Sequence, residues 1–262
     1  MTSFLKKSKR RIKHRYREGL SYISYFVKPT PSGSVRLVIF GHGRTGSTLL
    51  ESLLCSTGYF RKNGELLNTS KGEIRYPIQY VSGLSKQTAN ENFIFHVKIY
   101  QLTRDRKRPI DPAAFLNALY NDGWKVIYLR RRNKVKHALS NLVREHRGPT
   151  HKFNDDKEDI KLFVNCKQFV EMVEERFRFD KADEEALANI KYHEVVYEED
   201  LEKPHSHQKT VDRILDYVSL ENREAFTTHR KINTQSLEEL IVNYDEFVDQ
   251  LNKQGWLRFL DD

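Results

Sequence analysis

The strongest constraint on this chain is a short apolar run that meets a glycine-rich turn and then a helical leucine pattern. Val35-Arg-Leu-Val-Ile-Phe40 is strand-sized and stops at Gly41, so it reads as a buried strand. Gly41-His-Gly-Arg-Thr-Gly-Ser-Thr48 follows, and then Leu49, Leu50, Leu53 and Leu54 recur at helical spacing, with Gly58 as the stop. A turn between a strand and a helix puts backbone N–H groups and a helix N-terminus where they can cradle phosphate oxygens. The turn nearly fits the nucleotide-binding pattern G-x-x-x-x-G-K-[ST]: Gly41 and Gly46 match, but Ser47 stands where the lysine belongs. That lysine reaches the terminal phosphates of a triphosphate, so its replacement argues against an ATPase or kinase. Arg44 supplies a cation further forward, and Thr45, Ser47 and Thr48 supply hydroxyls. The bland alternative is a glycine-rich turn with no ligand.

Further along, Asn92–Tyr100, Trp124–Leu129 and Tyr192–Tyr197 read as strands. Helices are expected over Asp111–Asn121, with Asp111 as cap and Pro112 in the first turn, and over 133–147, 157–179 and 208–218. Strands alternating with helices predict an α/β fold in three layers, a central, mainly parallel sheet flanked by helices. With the phosphate-type loop after its first strand, the expected fold is of P-loop type. Residues 35–262 are expected to form a single domain, preceded by a basic amphipathic helix over 1–28 and a Pro/Gly/Ser linker to residue 34.

A second anion signal lies in Lys125–Lys152, which holds nine Lys or Arg and one acid, Glu145. Helix N-termini prefer acids, so cations packed there are unfavourable unless an anion is bound. Arg132 and Ser140, eight residues apart, can address one ligand if the strand end turns back over the helix. A solvated basic face is the alternative.

Two anion sites at strand ends suit a ligand with two separate phosphate groups, and the combination resembles the sulfotransferase family that uses 3′-phosphoadenosine 5′-phosphosulfate (PAPS). The Arg44-Thr-Gly-Ser-Thr48 loop looks like that family's 5′-phosphosulfate loop, and Arg132 with Ser140 looks like its 3′-phosphate motif. Gly64-Glu-Leu-Leu-Asn68, Arg131-Arg-Asn-Lys-Val135, Lys231–Leu240 and Asn243-Tyr-Asp245 resemble the bacterial carbohydrate sulfotransferases that modify Nod factors and trehalose glycolipids. Lys134 replaces the proline usual in the 3′-phosphate motif, and the Gly- and Lys-rich C-terminal phosphate segment of the phenol sulfotransferases is missing, which argues against a phenol or steroid acceptor. Arg230 and Lys231 are then candidates for a further phosphate contact.

The resemblance implies transfer of a sulfuryl group from PAPS to a hydroxyl of a carbohydrate or glycolipid, with PAPS as co-substrate and no metal. Arg44 is expected at the bridging oxygen and Gly46 to Thr48 at the 5′-phosphate. Glu65 matches the proposed base of the Nod-factor and trehalose group, and a carboxylate buried beside sugar and donor is expected to have its pKa raised toward neutrality. His42 is the rival base. His96 alternates with Phe93, Phe95 and Val97 and reads as a core histidine, while Lys98 is either a strand-edge lysine or a donor contact. Segments 60–90 and 148–160, turn-rich and polar, are expected to wall the acceptor.

Charge separates the remaining possibilities. The chain carries a net +9, but residues 1–30 hold nine bases against Glu18 alone, leaving the other residues at +1. The tail supports peripheral contact with an anionic membrane; the near-neutral body and the lack of a nucleic-acid module argue against a nucleic-acid-binding protein. A P-loop kinase or NTPase and a non-catalytic member of the fold are the other readings. No apolar run reaches the roughly 18 residues of a membrane span, and two cysteines, Cys55 and Cys166, make neither a disulfide scaffold nor a zinc site. A cytoplasmic protein is expected.

Overall fold

Five short segments line up side by side, most of them apolar where they face the core. They are β1 (Arg36–Gly41), β2 (Phe60–Glu65), β3 (Asn92–Lys98), β4 (Lys125–Arg130) and β5 (His193–Val196), joined in the order β2-β3-β1-β4-β5 with every pairing parallel. The computed structural model describes residues 2–88, 91–147, 160–229 and 235–260. Its helices are α1 (Thr2–Val27), α2 (Ser47–Ser56), α3 (Pro77–Gln87), α4 (Ile99–Leu102), α5 (Pro112–Asn121), α6 (Lys134–Arg147), α7 (Cys166–Leu187), α8 (His207–Tyr217), α9 (Leu237–Leu240) and α10 (Tyr244–Lys253). Among the described residues no helix is long and apolar enough to cross a membrane.

The chain divides into two compact units, one of residues 1–130 with 182–227 and one of 131–181 with 228–262. The first contains the sheet. Leu37, Ile39, Ile94, Ile127, Leu129 and Val195 face one way and pack with Leu50, Leu53 and Leu54 of α2 and Val211, Ile214 and Leu215 of α8. Val38, Phe40, Phe95, Val126 and Tyr128 alternate to the other face and are equally buried, with Trp124 edge-on to Phe95 at 5.4 Å and the apolar side of α5 also buried. Each such side chain withdrawn from water contributes about 1.5–3 kcal/mol. The expected α/β fold with a central parallel sheet flanked by helices is what the chain adopts. The expected cap of α5 is there too: the Asp111 carboxylate accepts from the Ala113 N–H at 3.0 Å.

The second unit has its own apolar centre. Val135, Ala138, Leu139 and Val143 of α6 meet Phe169 and Val173 of α7 and Phe247 and Leu251 of α10. A single parallel bridge, Leu162 to Ile241, ties its strand-like segments.

The N-terminal extension forms α1 over Thr2–Val27. The half of α1 with described side chains packs on α3, through a face that is small and polar rather than apolar. Gly83 of α3 sits so close to α1 that a Cβ there would land on the Ser21 carbonyl. Around this contact Gln87 Nε2 donates to Ser24 Oγ at 3.1 Å and Lys86 Nζ to the Tyr25 carbonyl at 2.9 Å. The buried Glu18 carboxylate accepts from Tyr22 Oη at 2.6 Å, Arg15 Nη1 at 2.8 Å and the Arg75 N–H at 3.0 Å. Burial pushes the Glu18 carboxyl up, but these donors outweigh it and hold it below its ordinary value.

Two outcomes follow. Gly83→Ala should overpack the helix pair and lower stability by about 2 kcal/mol in urea denaturation; an unchanged midpoint would show that α1 is not held at this contact. Because Glu18 is depressed, its contribution is complete above the ordinary carboxylate range and is lost as pH falls through its folded pKa. Proteolysis within α1 should therefore accelerate in acid, and less so in Glu18→Gln.

Candidate functional site

The loop of residues 41–48 is shaped by close contacts that only small residues permit. At Gly41 a Cβ would strike the Leu129 carbonyl of β4, and at Gly43 it would sit 2.5 Å from Tyr100 Oη. Thr45 Oγ1 donates to the His42 carbonyl at 2.7 Å, closing the turn. In this arrangement the buried Thr45 hydroxyl serves the loop itself, while Ser47 is half-buried and Thr48 exposed. Arg44 and Gly46 both have left-handed backbone, φ 68° and 94°. Such a turn curls successive N–H groups into an anion-binding concavity. α2 starts at Ser47, directly behind it, so its first N–H groups and the positive end of its dipole address the same place. A Cβ on Gly46 would also meet Tyr197 and Leu201 at 3.0 Å.

His42 lies under this loop, fully enclosed, with Nε2 2.9 Å from the Asp183 carboxylate of α7. This approach ties the loop to α7. His96 is also buried, 3.6 Å from Glu51.

Parallel pairing brings the remaining parts to the same edge. Gly41 of β1 lies opposite Lys98 of β3, and Glu65 of β2 lies opposite His96. The chain leaves β1 toward β2 and leaves β3 toward β4, on the other side of β1. That makes the β1/β3 crevice the topological switch point, where open α/β sheets bind ligands. A narrow cleft there is lined by Gly41, His42, Ser47, His96 and Lys98. The Lys98 stem passes 3.7 Å from the position a Cβ on Gly43 would take. Its ammonium pairs with Glu65 Oε1, while Glu65 Oε2 accepts from Gln101 Nε2 at 2.7 Å and Asn68 Nδ2 at 2.9 Å. Burial pushes the Glu65 carboxyl up, but the Lys98 cation and these donors outweigh it, and the net shift is downward. The expectation of a pKa raised toward neutrality is thus corrected, and the reason is Lys98. Tyr100, beside Gly43, is pushed up to about 12 by burial and then by the Glu65 charge.

One participant escaped the sequence reading. Glu51, fully buried on α2, accepts from the Gly64 N–H at 2.7 Å and the Asn63 N–H at 3.1 Å. Gly64 has φ 65°, and the β2/β3 ladder shifts register between Lys62 and Glu65. The carboxylate therefore fixes the irregular turn that presents Glu65. Burial raises its pKa, and His96 with the two N–H groups lowers it by more. The signal in the sequence was a single acid inside the Leu49–Leu54 apolar pattern.

Two cations of the basic run have carboxylate partners within their own units. Arg130 meets Glu184 and Glu194 at 3.2 and 3.3 Å. In the second unit, Lys134 pairs with Asp180 and donates to the Arg131 carbonyl, and Asn133 Oδ1 caps α6 by accepting from the Lys136 N–H at 2.8 Å. Carboxylates thus pair with Arg130 and Lys134, two of the nine cations in the run, while the Asn133 cap satisfies a backbone N–H. Arg132 is exposed just ahead of α6, and Ser140 is half-buried within it. Residues 60–90 are less turn-rich than expected, since α3 buries Tyr80, Val81 and Leu84. Arg230, Lys231 and residues 148–159 lie outside the described residues. Among the described residues no group of three His, Cys, Asp or Glu is arranged to hold a metal ion.

No family model matches the chain, and no curated protein does. Among solved structures, mouse sulfotransferase SULT7A1 complexed with PAP is 12% identical, covering 92% of this chain and 92% of that one at a TM-score of 0.49. Shikimate kinase from Bacteroides thetaiotaomicron is 16% identical, covering 71% of this chain and 99% of that one at a TM-score of 0.40.

The Glu51 grip has a direct test. Glu51→Ala strands two buried N–H groups and a histidine, and should cost about 3 kcal/mol. Glu51→Gln, which keeps an acceptor oxygen, should retain most of that. Equal urea midpoints for Glu51→Ala and the parent would show that the turn holds without it.

Proposed function

We propose that the protein is a sulfotransferase that moves a sulfuryl group from PAPS to a hydroxyl of a carbohydrate or glycolipid. The observation that carries this reading is the Glu65–Lys98 pair beside a phosphate-type loop that has Ser47 in place of the nucleotide-binding lysine. A base, a mobile cation and an anion cradle are the three parts such a transfer needs.

Loop N–H groups from Gly46 to Thr48 and the hydroxyls of Ser47 and Thr48 hold the 5′-phosphate. Thr45 belongs to the same 5′-phosphate loop, and Arg132 and Ser140 are assigned to the 3′-phosphate on the strength of their motif. Glu65 accepts the proton of the acceptor hydroxyl as that oxygen attacks sulfur. The sulfur–oxygen bond to the 5′-phosphate breaks, and Arg44 and Lys98 meet the charge left on that phosphate. With Lys98 on Glu65, the carboxylate is ionised at neutral pH but only weakly basic. When Lys98 turns to the donor's oxygens, Glu65 loses its cation and gains proton affinity as the proton arrives. No divalent cation has a role in these steps. The small number of cysteines fits a cytoplasmic enzyme.

The test uses labelled PAPS with sugar and glycolipid acceptors and no added metal. Glu65→Ala should reduce kcat by about a hundredfold or more while 3′-phosphoadenosine 5′-phosphate still raises Tm. Full rate in this variant would remove Glu65 as base; a Tm rise with ATP and magnesium but none with the bisphosphate would point to a kinase instead. Arg132→Ala should weaken bisphosphate binding about tenfold or more. Since Glu65 is depressed in the free enzyme, kcat/KM should show no acid limb near neutrality.

A further inference from the structure

The helix α1 is docked inside out. Glu18, Ser21 and Ser24 turn inward, while Ile12, Tyr16, Leu20, Ile23, Phe26 and Val27 are 39–78% exposed. Their spacing of three and four residues places all six on one arc of the helix, opposite the face that meets α3. Exposed Lys13 and Arg15 stand at the two margins of this arc. Single exposed apolar residues are ordinary, but six in one stripe are not.

We infer that this face of α1 is a docking surface for an anionic lipid bilayer, the stripe entering the headgroup boundary and the flanking cations meeting lipid charge. Charge complementarity selects this occupant. Residues 1–30 carry +8, and the one acid among them, Glu18, is buried against the body. A second copy of the chain would bring the same cations against each other, whereas an acidic lipid surface attracts them. A partly apolar, aromatic-bearing arc between cations is also the form of a helix that lies in the plane of the interface. The surface is independent of the sulfuryl-transfer reading: α1 would bind lipid whatever the loop after β1 holds.

The full chain should co-sediment with vesicles of phosphatidylcholine and phosphatidylglycerol, and far less with phosphatidylcholine alone. The double variant Ile23→Ser with Phe26→Ser should weaken that binding by about tenfold or more, and Lys13→Glu by about fivefold or more. All three positions are exposed, so urea midpoints should stay at the parent value and show that α1 remains docked. The inference is overturned if the parent chain does not pellet with anionic vesicles, if neutral vesicles bind it equally, or if the double variant pellets as well as the parent. It is also overturned if Phe26 substitution instead abolishes a dimer seen in sedimentation velocity while vesicles leave the parent unbound.

Discussion

A carboxylate sealed between α2 and the end of β2 holds the candidate site together. Glu51 takes two backbone N–H groups from the turn Asn63-Gly64 and stands beside His96. α2 begins at the phosphate-type loop, β2 ends at Glu65, and His96 lies on the strand that ends at Lys98. One side chain therefore sets the spacing of three elements that each deliver a functional group. A buried charge is costly unless it is fully engaged, and here the donors exceed the burial penalty, since the net shift is toward ionisation. The same pattern recurs at Glu18 and Glu65, where burial is offset by donors in every case.

Charge along the chain has a similar logic. The sequence shows a basic cluster at 125–152 and acids at 171–202 as separate features. In the fold, acids from the second group neutralise cations of the first: Glu184 and Glu194 serve Arg130, and Asp180 serves Lys134. Lys134 stands where the resembled motif has proline, and its ammonium is what Asp180 holds. Arg132, between these two cations in the chain, stays exposed.

What the sequence made legible was whatever local chemistry decides. The Gly41–Thr48 turn, the Asp111 cap and the apolar strands β1 and β4 depend on neighbours in sequence, and they stand where pattern put them. β2 was missed because Phe60-Arg-Lys-Asn-Gly-Glu65 is an edge strand with a bulge, mostly polar and without alternation. α3 was missed because its buried face contains Ser82, Gly83 and Ser85, small residues that serve the approach of α1 rather than an apolar stripe. The same contact shows how the expected amphipathic helix α1 is seated: its apolar pattern is real, but it faces away from α3. For the site, Glu65 and the loop were readable from motif, whereas Lys98 as partner and Glu51 as holder depend on strand register, which one sequence does not reveal.

The backbone of Arg44 gives the loop a tension of its own. An arginine at φ 68° sits where glycine would be at ease, at a cost of about 1–2 kcal/mol. What arginine adds there over glycine is the guanidinium, the cation assigned to the proposed phosphate site. Thermal robustness and anion affinity therefore pull this one position in opposite directions. Variants selected purely for heat resistance would tend to drift toward glycine at residue 44, and would become sturdier proteins without the guanidinium that the proposed phosphate site calls on.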